Sequence, residues 1–309
     1  MIRTIDSPAW KAAEPRLSVL IPFLRDDPTE LLALLEREAT DLKAEVEVVL
    51  LDDGTGDPDL TARLETQVAA LSLPMRLLSS LVNLGRSRGR NRLTTEARGR
   101  HWLFLDSDMR PDNPDFLQTW LALARIDDPA VAFGGFSLDQ TPHERRTAVH
   151  RAMALRSDCR LSAERARQPE KHVFTSNLLV RHDVFEVEAF DADFAGWGWE
   201  DVEWGMRVAR RWPIVHIDNP ATHMGLDTVD ALAAKYEQSA ANFARVAAKH
   251  PEVVATYPSY RAACLIRRTP GHRLARPLFK ALAGIELLPD AARAFSLRLY
   301  RAALYAEAV

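Results

Sequence analysis

Short apolar segments alternate with amphipathic ones from residue 17 to residue 136, and this alternation constrains the fold more than any other feature of the chain. The predicted strands are LSVLIP (17–22), VEVVLL (46–51), MRLLSS (75–80), WLFL (102–105) and VAFGGF (131–136). The predicted helices are TELLALLEREATDLK (29–43), DLTARLETQVAALS (59–72), GRNRLTTEARG (89–99) and PDFLQTWLALARI (114–126). This order predicts a doubly wound α/β fold with a largely parallel sheet, whose ligand site lies beyond the carboxyl ends of the strands.

The alternation ends after residue 136. The remaining predicted elements are a charged helical stretch (143–167), a strand HVFTSNLLV (172–180), a strand IVHID (214–218) and a long helix (228–249). A tryptophan-rich segment separates the two strands. We therefore expect a nucleotide-binding half at about 17–136 and a second half at about 137–250.

Composition excludes several classes of protein. With 309 residues, 47% of them apolar, the chain is long enough for one large α/β domain or two small ones, and its formal net charge of -3 argues against a general nucleic-acid binder. Its two cysteines lie far apart in sequence, so they suggest neither a disulfide framework nor a zinc site. No apolar run approaches the roughly 18 residues of a membrane span, and the N-terminus lacks a signal-peptide core. We expect a cytoplasmic protein.

Acidic pairs follow two of the predicted strands. Asp52 and Asp53 come directly after VEVVLL, and Asp106 and Asp108 come directly after WLFL. Carboxylates that converge on one sheet edge repel one another unless a cation neutralises them, so a hard divalent metal that also carries a phosphate ligand explains the second pair. Each pair alone is equally typical of a turn. Their joint occurrence favours the functional interpretation.

The motifs SVLIPF, VVLLDDGTGD, NLGRSRGRN and WLFLDSDM, in this order and spacing, resemble the nucleotide-sugar half of a family 2 glycosyltransferase with the GT-A fold. The resemblance implies a mixed, mostly parallel Rossmann-like sheet flanked by helices. It also implies nucleotide-binding roles for five residues, which are Pro22, Phe23, Asp53, Arg90 and Asp106. A solvated basic helix start is the alternative interpretation of the arginines around Arg90. The resemblance further implies that Asp106 and Asp108 bind a metal on the diphosphate.

The segment AGWGWEDVEW (195–204) crowds acids and indoles together. Glycosyl transfer needs a base for the acceptor hydroxyl, and indoles stack on the apolar face of a sugar. The segment resembles the WGxED region of galactosyltransferase-type and chondroitin-polymerase-type enzymes. That match implies Asp201 as the general base, Glu200 as a ligand of sugar hydroxyls, and Trp197 and Trp199 as walls of the acceptor site. The alternative is a helix N-terminus with its acids against the dipole and its indoles in the core, and both descriptions can hold at once.

Two further positions enter through the resemblance. In related enzymes a histidine after the strand that follows the catalytic helix completes the metal site, which implies His223. Imidazole favours Mn2+, with Mg2+ as the other candidate. His216, inside its strand, is a core histidine by expectation. Asn177 falls where the family forms the floor of the donor-sugar site, although an asparagine in a turn fits that position nearly as well.

These features predict a metal-dependent inverting hexosyltransferase that moves a sugar from a nucleoside diphosphate sugar, UDP-linked by resemblance, to a saccharide or lipid-linked saccharide in bacterial polysaccharide or glycoconjugate synthesis. A sugar nucleotidyltransferase and a non-catalytic nucleotide-sugar binder are the alternatives. We expect the catalytic domain at 1–265 and a basic amphipathic extension at 266–309 that breaks into two helices at Pro289 and Asp290. Those helices would pack on the catalytic domain, form a homodimer, or contact the inner leaflet of the plasma membrane as a peripheral protein.

Overall fold

The computed structural model describes residues 2–42 and 44–309. Met1 and Lys43, which fall in the predicted catalytic domain and at the end of the predicted helix 29–43, lie outside the described residues. The strands are β1 Ile2–Asp6, β2 Leu17–Phe23, β3 Val46–Asp52, β4 Met75–Ser80, β5 His101–Leu105, β6 Met109–Pro111, β7 Val131–Phe133, β8 Phe136–Ser137, β9 Asn177–Arg181, β10 Ile214–His216 and β11 Ala221–His223.

The helices follow the predicted pattern closely in the first half. They are α1 Thr29–Ala39, α2 Pro58–Ala70, α3 Arg86–Thr94, α4 Phe116–Ile126, α5 Ala148–Ser157, α6 Ser162–Arg165, α7 His182–Val187, α8 Glu200–Val208, α9 Val229–Lys249, α10 Pro251–Val254, α11 Pro258–Arg267, α12 His272–Gly284 and α13 Asp290–Ala308. Local chemistry fixes some of their starts. The Asp57 side chain accepts hydrogen bonds from the backbone N–H groups of Asp59 and Leu60 at the start of α2, where Pro58 occupies the first turn.

Among the described residues the main sheet has eight strands in the order β1-β4-β3-β2-β5-β9-β7-β10. The pairs β2–β3, β3–β4, β2–β5 and β7–β10 are parallel, whereas β1–β4, β5–β9 and β7–β9 are antiparallel. Strands β6, β11 and β8 form a small second sheet. The predicted mixed, mostly parallel sheet is confirmed. Because β2, β3 and β5 run parallel, their carboxyl ends meet at one edge, and the acidic pairs lie there.

Buried side chains cover both faces of the main sheet. One cluster joins its strands to α1, α2 and α4, and another joins them to α3, α7 and α8. A third cluster forms away from the sheet, among α5, α9, α11 and α13. In the part of the chain that the structure describes, no helix is both long and apolar enough to cross a membrane.

Three sequence predictions need correction. The predicted strand 172–180 begins only at Asn177, because a 3-10 helix ends at His172 and a turn precedes β9. The predicted strand 131–136 is broken, because Gly134 and Gly135 separate β7 in the main sheet from β8 in the small one. Gly135 has a φ of +101°, which interrupts the extended backbone. The charged stretch 143–167 is also not one helix. It contains α5 and α6 with a turn between them, and a short 3-10 helix precedes α5.

The two predicted helices of the C-terminal extension are present as α12 and α13, and the break between them ends at Pro289. Helix α13 packs on the second half of the chain. Its Leu297, Tyr300 and Tyr305 are buried in the third cluster together with Phe243 of α9.

Candidate active site

Two adjoining cavities open at the edge of the sheet where the acidic pairs lie. One, of about 520 Å³, is lined by residues that follow β2 and β3 and by the start of α3. The other, of about 360 Å³, is lined by the tryptophan-rich loop, α5, α8, α9 and α13. We call them the donor-side cavity and the acceptor-side cavity. Both are lined by Arg86, Asp106, Asp108, Trp197 and Lys235, so these residues mark the junction.

The donor-side cavity contains all five predicted nucleotide-binding residues, including Pro22 and Phe23 at the end of β2. Asp53 holds the loop before α3 in place, since its carboxylate accepts hydrogen bonds from the N–H groups of Leu84 (2.8 Å) and Gly85 (3.1 Å). Burial raises the pKa of Asp53, and these two hydrogen bonds oppose the shift. Each oxygen retains capacity for a second donor.

The arginines of α3 take different positions. Arg90 is buried and donates to Asp106 at 2.5 Å, which fixes that carboxylate at the cavity junction. Arg86, one turn earlier on the same helix face, forms an ion pair with Glu200 of α8 and lines both cavities. Arg88 and Arg92 instead donate to the Ala192 carbonyl and to Glu96.

Asp108 and His223 lie in direct contact at the cavity junction. His223 Nε2 is 3.0 Å from Asp108 Oδ2. Burial opposes the charge of each group, but their mutual attraction dominates, so the pKa of Asp108 is lowered and the pKa of His223 is raised. A side chain at Gly225 would place its Cβ 2.2 Å from Asp108 Oδ2, so only glycine allows this approach. Across residues 2–42 and 44–309, no three acidic, histidine or cysteine side chains form a ready metal cluster.

Glu200 and Asp201 begin α8, yet the pKa values of their carboxyl groups are shifted in opposite directions. Burial alone would raise the pKa of Glu200, but the guanidinium groups of Arg86 and Arg90 outweigh it, so that pKa is lowered. Burial and the negative charge of Glu200 raise the pKa of Asp201 to about 7. Asp201 faces the acceptor-side cavity, and its one hydrogen bond within the protein comes from the N–H of Val202. Neighbouring carboxyl groups with divergent pKa values are a common feature of acid–base catalytic sites.

The loop before α8 has an unusual backbone. Gly196, Gly198 and Trp199 all have positive φ, at 72°, 90° and 77°. Glycine adopts this conformation freely, whereas for a bulky residue such as tryptophan it is strained. The strained conformation is held because the Trp199 indole donates to the Tyr305 hydroxyl at 2.9 Å and packs on Phe243. Trp197 lines both cavities and Trp199 lines the acceptor-side cavity. The same segment therefore lines the cavities with indole rings and leads into the N-terminus of α8.

Asn177 lies apart from this group. It is fully buried, and its amide nitrogen donates to the carbonyl oxygens of Gly135 and Asn219, which ties β9 to the break between β7 and β8. The residues immediately before it, Thr175 and Ser176, line the acceptor-side cavity instead. Their buried hydroxyl groups have no hydrogen-bond partner among the residues that the structure describes.

Residues 18–187 match the sequence model of glycosyl transferase family 2. The chain belongs to this family. The match covers more than half of the sequence and includes β2, β3, β5 and the donor-side acids. No curated protein matches the chain significantly.

Solved structures of glycosyltransferases share the fold of this chain. TarS of S. aureus, residues 1–349, is 15% identical, with a TM-score of 0.54 over 93% of this chain and 89% of that one. The same protein in complex with UDP-GlcNAc is 16% identical, with a TM-score of 0.53 over 93% of this chain and 89% of that one. The mannosyltransferase PcManGT from Pyrobaculum calidifontis, in complex with GDP-Man and Mn2+, is 17% identical, with a TM-score of 0.53 over 95% and 86%. These likenesses establish the GT-A fold.

Several cavity residues of this family 2 chain were missed by sequence reasoning. Arg86 could have been found, because it lies four residues before Arg90 and therefore on the same helix face. Lys235 of α9 lines both cavities and pairs with Asp227 at 2.6 Å. Arg301 and Tyr305 reach the acceptor-side cavity from α13, for which the sequence left packing on the catalytic domain, a dimer contact and a membrane contact open. No local sequence pattern marks these three residues.

Proposed function

We propose that the protein is a metal-dependent, inverting glycosyltransferase that moves a hexosyl group from a nucleoside diphosphate sugar to an acceptor hydroxyl. The observation that carries the proposal is the placement of Asp201. Its carboxyl group lies in the cavity next to the one that contains Asp53 and Arg90, and the two cavities meet at Asp106 and Asp108. A donor whose nucleotide occupies one cavity would present its sugar to the other.

Direct displacement accounts for the residues at the junction. Asp201 takes the proton from the acceptor hydroxyl as the new bond from the acceptor oxygen to the anomeric carbon forms and the bond from that carbon to the diphosphate oxygen breaks. Attack from the face opposite the leaving group inverts the anomeric configuration, so an α-linked donor gives a β-glycoside. Glu200, which Arg86 keeps ionised, is proposed as a ligand of sugar hydroxyls; its carboxylate is buried behind the cavity lining, and one of its oxygens has no hydrogen-bond partner among the described residues. Trp197 and Trp199 provide aromatic walls.

A divalent metal is proposed at the junction. Asp108 Oδ2 and His223 Nε2 are 3.0 Å apart, and neighbouring ligands of an octahedral ion at about 2.1 Å are about 3 Å from each other. Asp106, Asp108 and His223 would hold the ion, and the carboxylate and imidazole set favours Mn2+ over Mg2+. When bound, such an ion neutralises charge that develops on the diphosphate leaving group. The mannosyltransferase of the same fold was solved with Mn2+.

The donor is proposed to be UDP-linked. TarS, which has the same fold, was solved with UDP-GlcNAc, whereas PcManGT was solved with GDP-Man. Thermal unfolding of the protein with a panel of UDP-, GDP- and TDP-sugars, with Mn2+, with Mg2+ and with a chelator, tests the proposal. A ligand at 100 times its Kd stabilises the fold by about 2.7 kcal/mol.

We expect a UDP-sugar to stabilise the protein with Mn2+ and to lose that effect with the chelator. Slow release of UDP from the same donor identifies a transferase, because donor hydrolysis is the side reaction when water replaces the acceptor. Pyrophosphate chemistry would indicate a nucleotidyltransferase instead. If no sugar nucleotide stabilises the protein under any condition, the proposed function is wrong.

We propose that the acceptor is a saccharide or a lipid-linked saccharide in bacterial polysaccharide or glycoconjugate synthesis. The enzyme is proposed to be cytoplasmic and to contact the inner leaflet of the plasma membrane through α12. The side chains of Leu274, Leu278 and Ile285 recur on one face of that helix and its end and are 84%, 57% and 42% exposed. Leu287 is 93% exposed beyond them, and Arg273, Arg276 and Lys280 lie alongside. Basic amphipathic helices bind anionic lipid surfaces.

Co-sedimentation with vesicles tests the lipid contact. We expect binding to vesicles that contain phosphatidylglycerol and little binding to pure phosphatidylcholine. Leu278→Glu should abolish that binding, whereas Leu155→Glu on α5, where the leucine is equally exposed at 56%, should not. Equal loss in both variants, or no binding by the unaltered protein, would contradict the lipid contact.

A further inference from the structure

The cationic side chains of the acceptor-side cavity are paired with carboxylates, with one exception. Arg86 pairs with Glu200, His223 with Asp108, and Lys235 with Asp227. Burial lowers the pKa of His150 to about 4, so this imidazole is neutral and accepts a hydrogen bond from the N–H of Asp227. Arg301 of α13 lines the same cavity, yet no carboxylate of the described residues lies within 4 Å of its guanidinium group. Its contacts are with the ring and hydroxyl of Tyr236, 5.2 Å from the ring centroid. A partly buried guanidinium without a counter-ion leaves strong hydrogen-bond donors available to a ligand.

Two more arginines increase the positive charge beside Arg301. Arg298 lies one turn earlier on α13, and Arg156 lies in the last turn of α5. Neither has a carboxylate within 4 Å among the described residues. Burial, together with the charges of Arg156 and Arg301, lowers the pKa of Arg298. Like charges held this close disfavour one another, so a bound anion would stabilise the arrangement.

Asp158, at the end of α5, is the one carboxyl group that faces Arg301 across this part of the cavity. It forms no ion pair with Arg301 within 4 Å, and its hydrogen bond comes from Ser157 at 2.7 Å. Burial raises the pKa of Asp158 even though Arg301 opposes the shift. Because the two side chains form no direct ion pair, both retain capacity for a polar ligand.

We propose that the acceptor carries a phosphate or carboxylate group and that Arg301 binds this oxyanion in the acceptor-side cavity. The proposal rests on the glycosyltransferase function proposed above, since that function makes the cavity an acceptor site. A planar guanidinium donates two parallel hydrogen bonds to a phosphate or a carboxylate, which gives both attraction and orientation. Because Arg301 lies on α13, the C-terminal extension then selects the acceptor, and Asp201 on α8 activates it.

Calorimetric titration of the full chain tests the proposal with methyl phosphate, methyl β-glucuronide and the uncharged methyl β-glucoside. We expect both anions, or one of them, to bind at least about tenfold more tightly than the glucoside, as hydrogen bonds to a charged group imply. Arg301→Gln should remove this preference, and Arg301→Lys should keep most of it. Arg273→Gln, which removes an exposed arginine of α12 that lies outside the cavity, should leave it unchanged. Preference for methyl phosphate or for the glucuronide identifies the source of the oxyanion.

Each remaining outcome overturns the inference. Equal affinity for the charged and uncharged probes, failure of both anions to bind, or a preference that survives Arg301→Gln would each exclude Arg301 as the anion site. The comparison on the unaltered protein needs no variant to fold. UDP should stabilise all four proteins equally, because Arg301 does not line the donor-side cavity. If the unaltered protein binds UDP but neither anion, only this inference is refuted, whereas absence of any nucleotide binding refutes the proposed function.

Discussion

Glu200 and Asp201 are adjacent in the chain, yet the protein gives their carboxyl groups opposite protonation preferences. Arg86 lies close enough to Glu200 to keep it ionised. Within the described part of the chain Asp201 has no cationic partner at hydrogen-bond distance, and burial and the ionised Glu200 beside it both disfavour its negative charge. A carboxylate with a pKa near neutrality binds a proton more strongly than an ordinary one and still exists in the basic form at physiological pH. Arg86 therefore gives the two adjacent carboxyl groups opposite pKa shifts, as the proposed division between a charged ligand and a base requires.

Asp201→Asn is predicted to reduce transfer by at least about 100-fold, because general-base catalysis contributes that much or more. Donor affinity, measured by thermal unfolding with sugar nucleotide and Mn2+, should stay within about twofold, because Asp201 does not line the donor-side cavity. Asp193→Asn is the matched control. Its side chain is 70% exposed on the same loop, and transfer should be unchanged. Normal turnover by the Asp201 variant would mean that another group is the base.

The pH dependence of kcat/KM is predicted to show an acid limb with an apparent pKa of about 7. The pKa of Asp201 is raised, so this group is protonated and inactive as a base below that pH and becomes active as the pH rises through it. The limb should be absent from the residual activity of Asp201→Asn. A limb near pH 4 in the unaltered protein would show that the base is an ordinary exposed carboxylate.

Local sequence predicted the cavity positions of Asp53, Asp106 and Asp108, because each follows a strand and the carboxyl ends of parallel strands meet at one edge. Asn177 was predicted through the resemblance instead, as part of the floor of the donor-sugar site. It is the first residue of β9, and its amide is buried against two carbonyl groups that come from distant segments. Which side of a backbone faces a cavity depends on such tertiary contacts, and no pattern around residue 177 encodes them.

At the scale of elements, the break between β7 and β8 lets the chain leave the main sheet and build the small sheet against the site. The sequence VAFGGF has the composition of a continuous strand, and the pattern alone predicted one. The structure differs because Gly134 lies against Trp120 and Asn177 and because Gly135 takes a positive φ. The boundaries of α1, α2 and α4 were predictable to within a few residues, since their apolar periods are local, whereas the mostly polar α3 spans 86–94 instead of the predicted 89–99. Close approach to a distant side chain is not local.

Gly134→Ala is predicted to destabilise the protein by about 1–3 kcal/mol, the usual cost of overpacking. The added Cβ would lie 2.4 Å from Asn177 Nδ2 and 2.6 Å from the Trp120 ring, both of which are fixed in the core. Gly284→Ala is the control, because a Cβ there meets nothing within 4 Å at the end of α12. That variant should be neutral or more stable by up to about 1 kcal/mol. Equal stability of the two variants in urea unfolding would contradict the packing argument.

At the scale of the whole molecule, α13 is part of the active-site architecture. Its Tyr305 hydroxyl accepts from the Trp199 indole and lies 2.9 Å from the Ser239 hydroxyl of α9, while the Tyr305 ring stacks on Phe243 at 4.2 Å. The strained loop before Asp201 is therefore held by a residue about 100 positions further along the chain. The amphipathic pattern of the sequence predicted α12 and α13 but not which of them would be buried. A basic helix with an apolar face has the same sequence pattern whether it packs on a protein or on a membrane.

Tyr305→Phe is predicted to raise the acceptor KM several-fold and to leave donor affinity unchanged. Loss of the hydroxyl leaves the Trp199 indole without its acceptor and releases the loop that positions one wall of the acceptor-side cavity. Tyr300→Phe on the same helix is the matched control, because the Tyr300 hydroxyl donates to Glu237 at 2.5 Å and does not line that cavity. Each variant should lower the free energy of unfolding by about 1 kcal/mol, the net value of one hydrogen bond. Because both variants lose similar stability, a rise in acceptor KM that is confined to Tyr305→Phe would reflect loop positioning and not general destabilisation. An equal rise in acceptor KM in both variants would refute the positioning role of Tyr305.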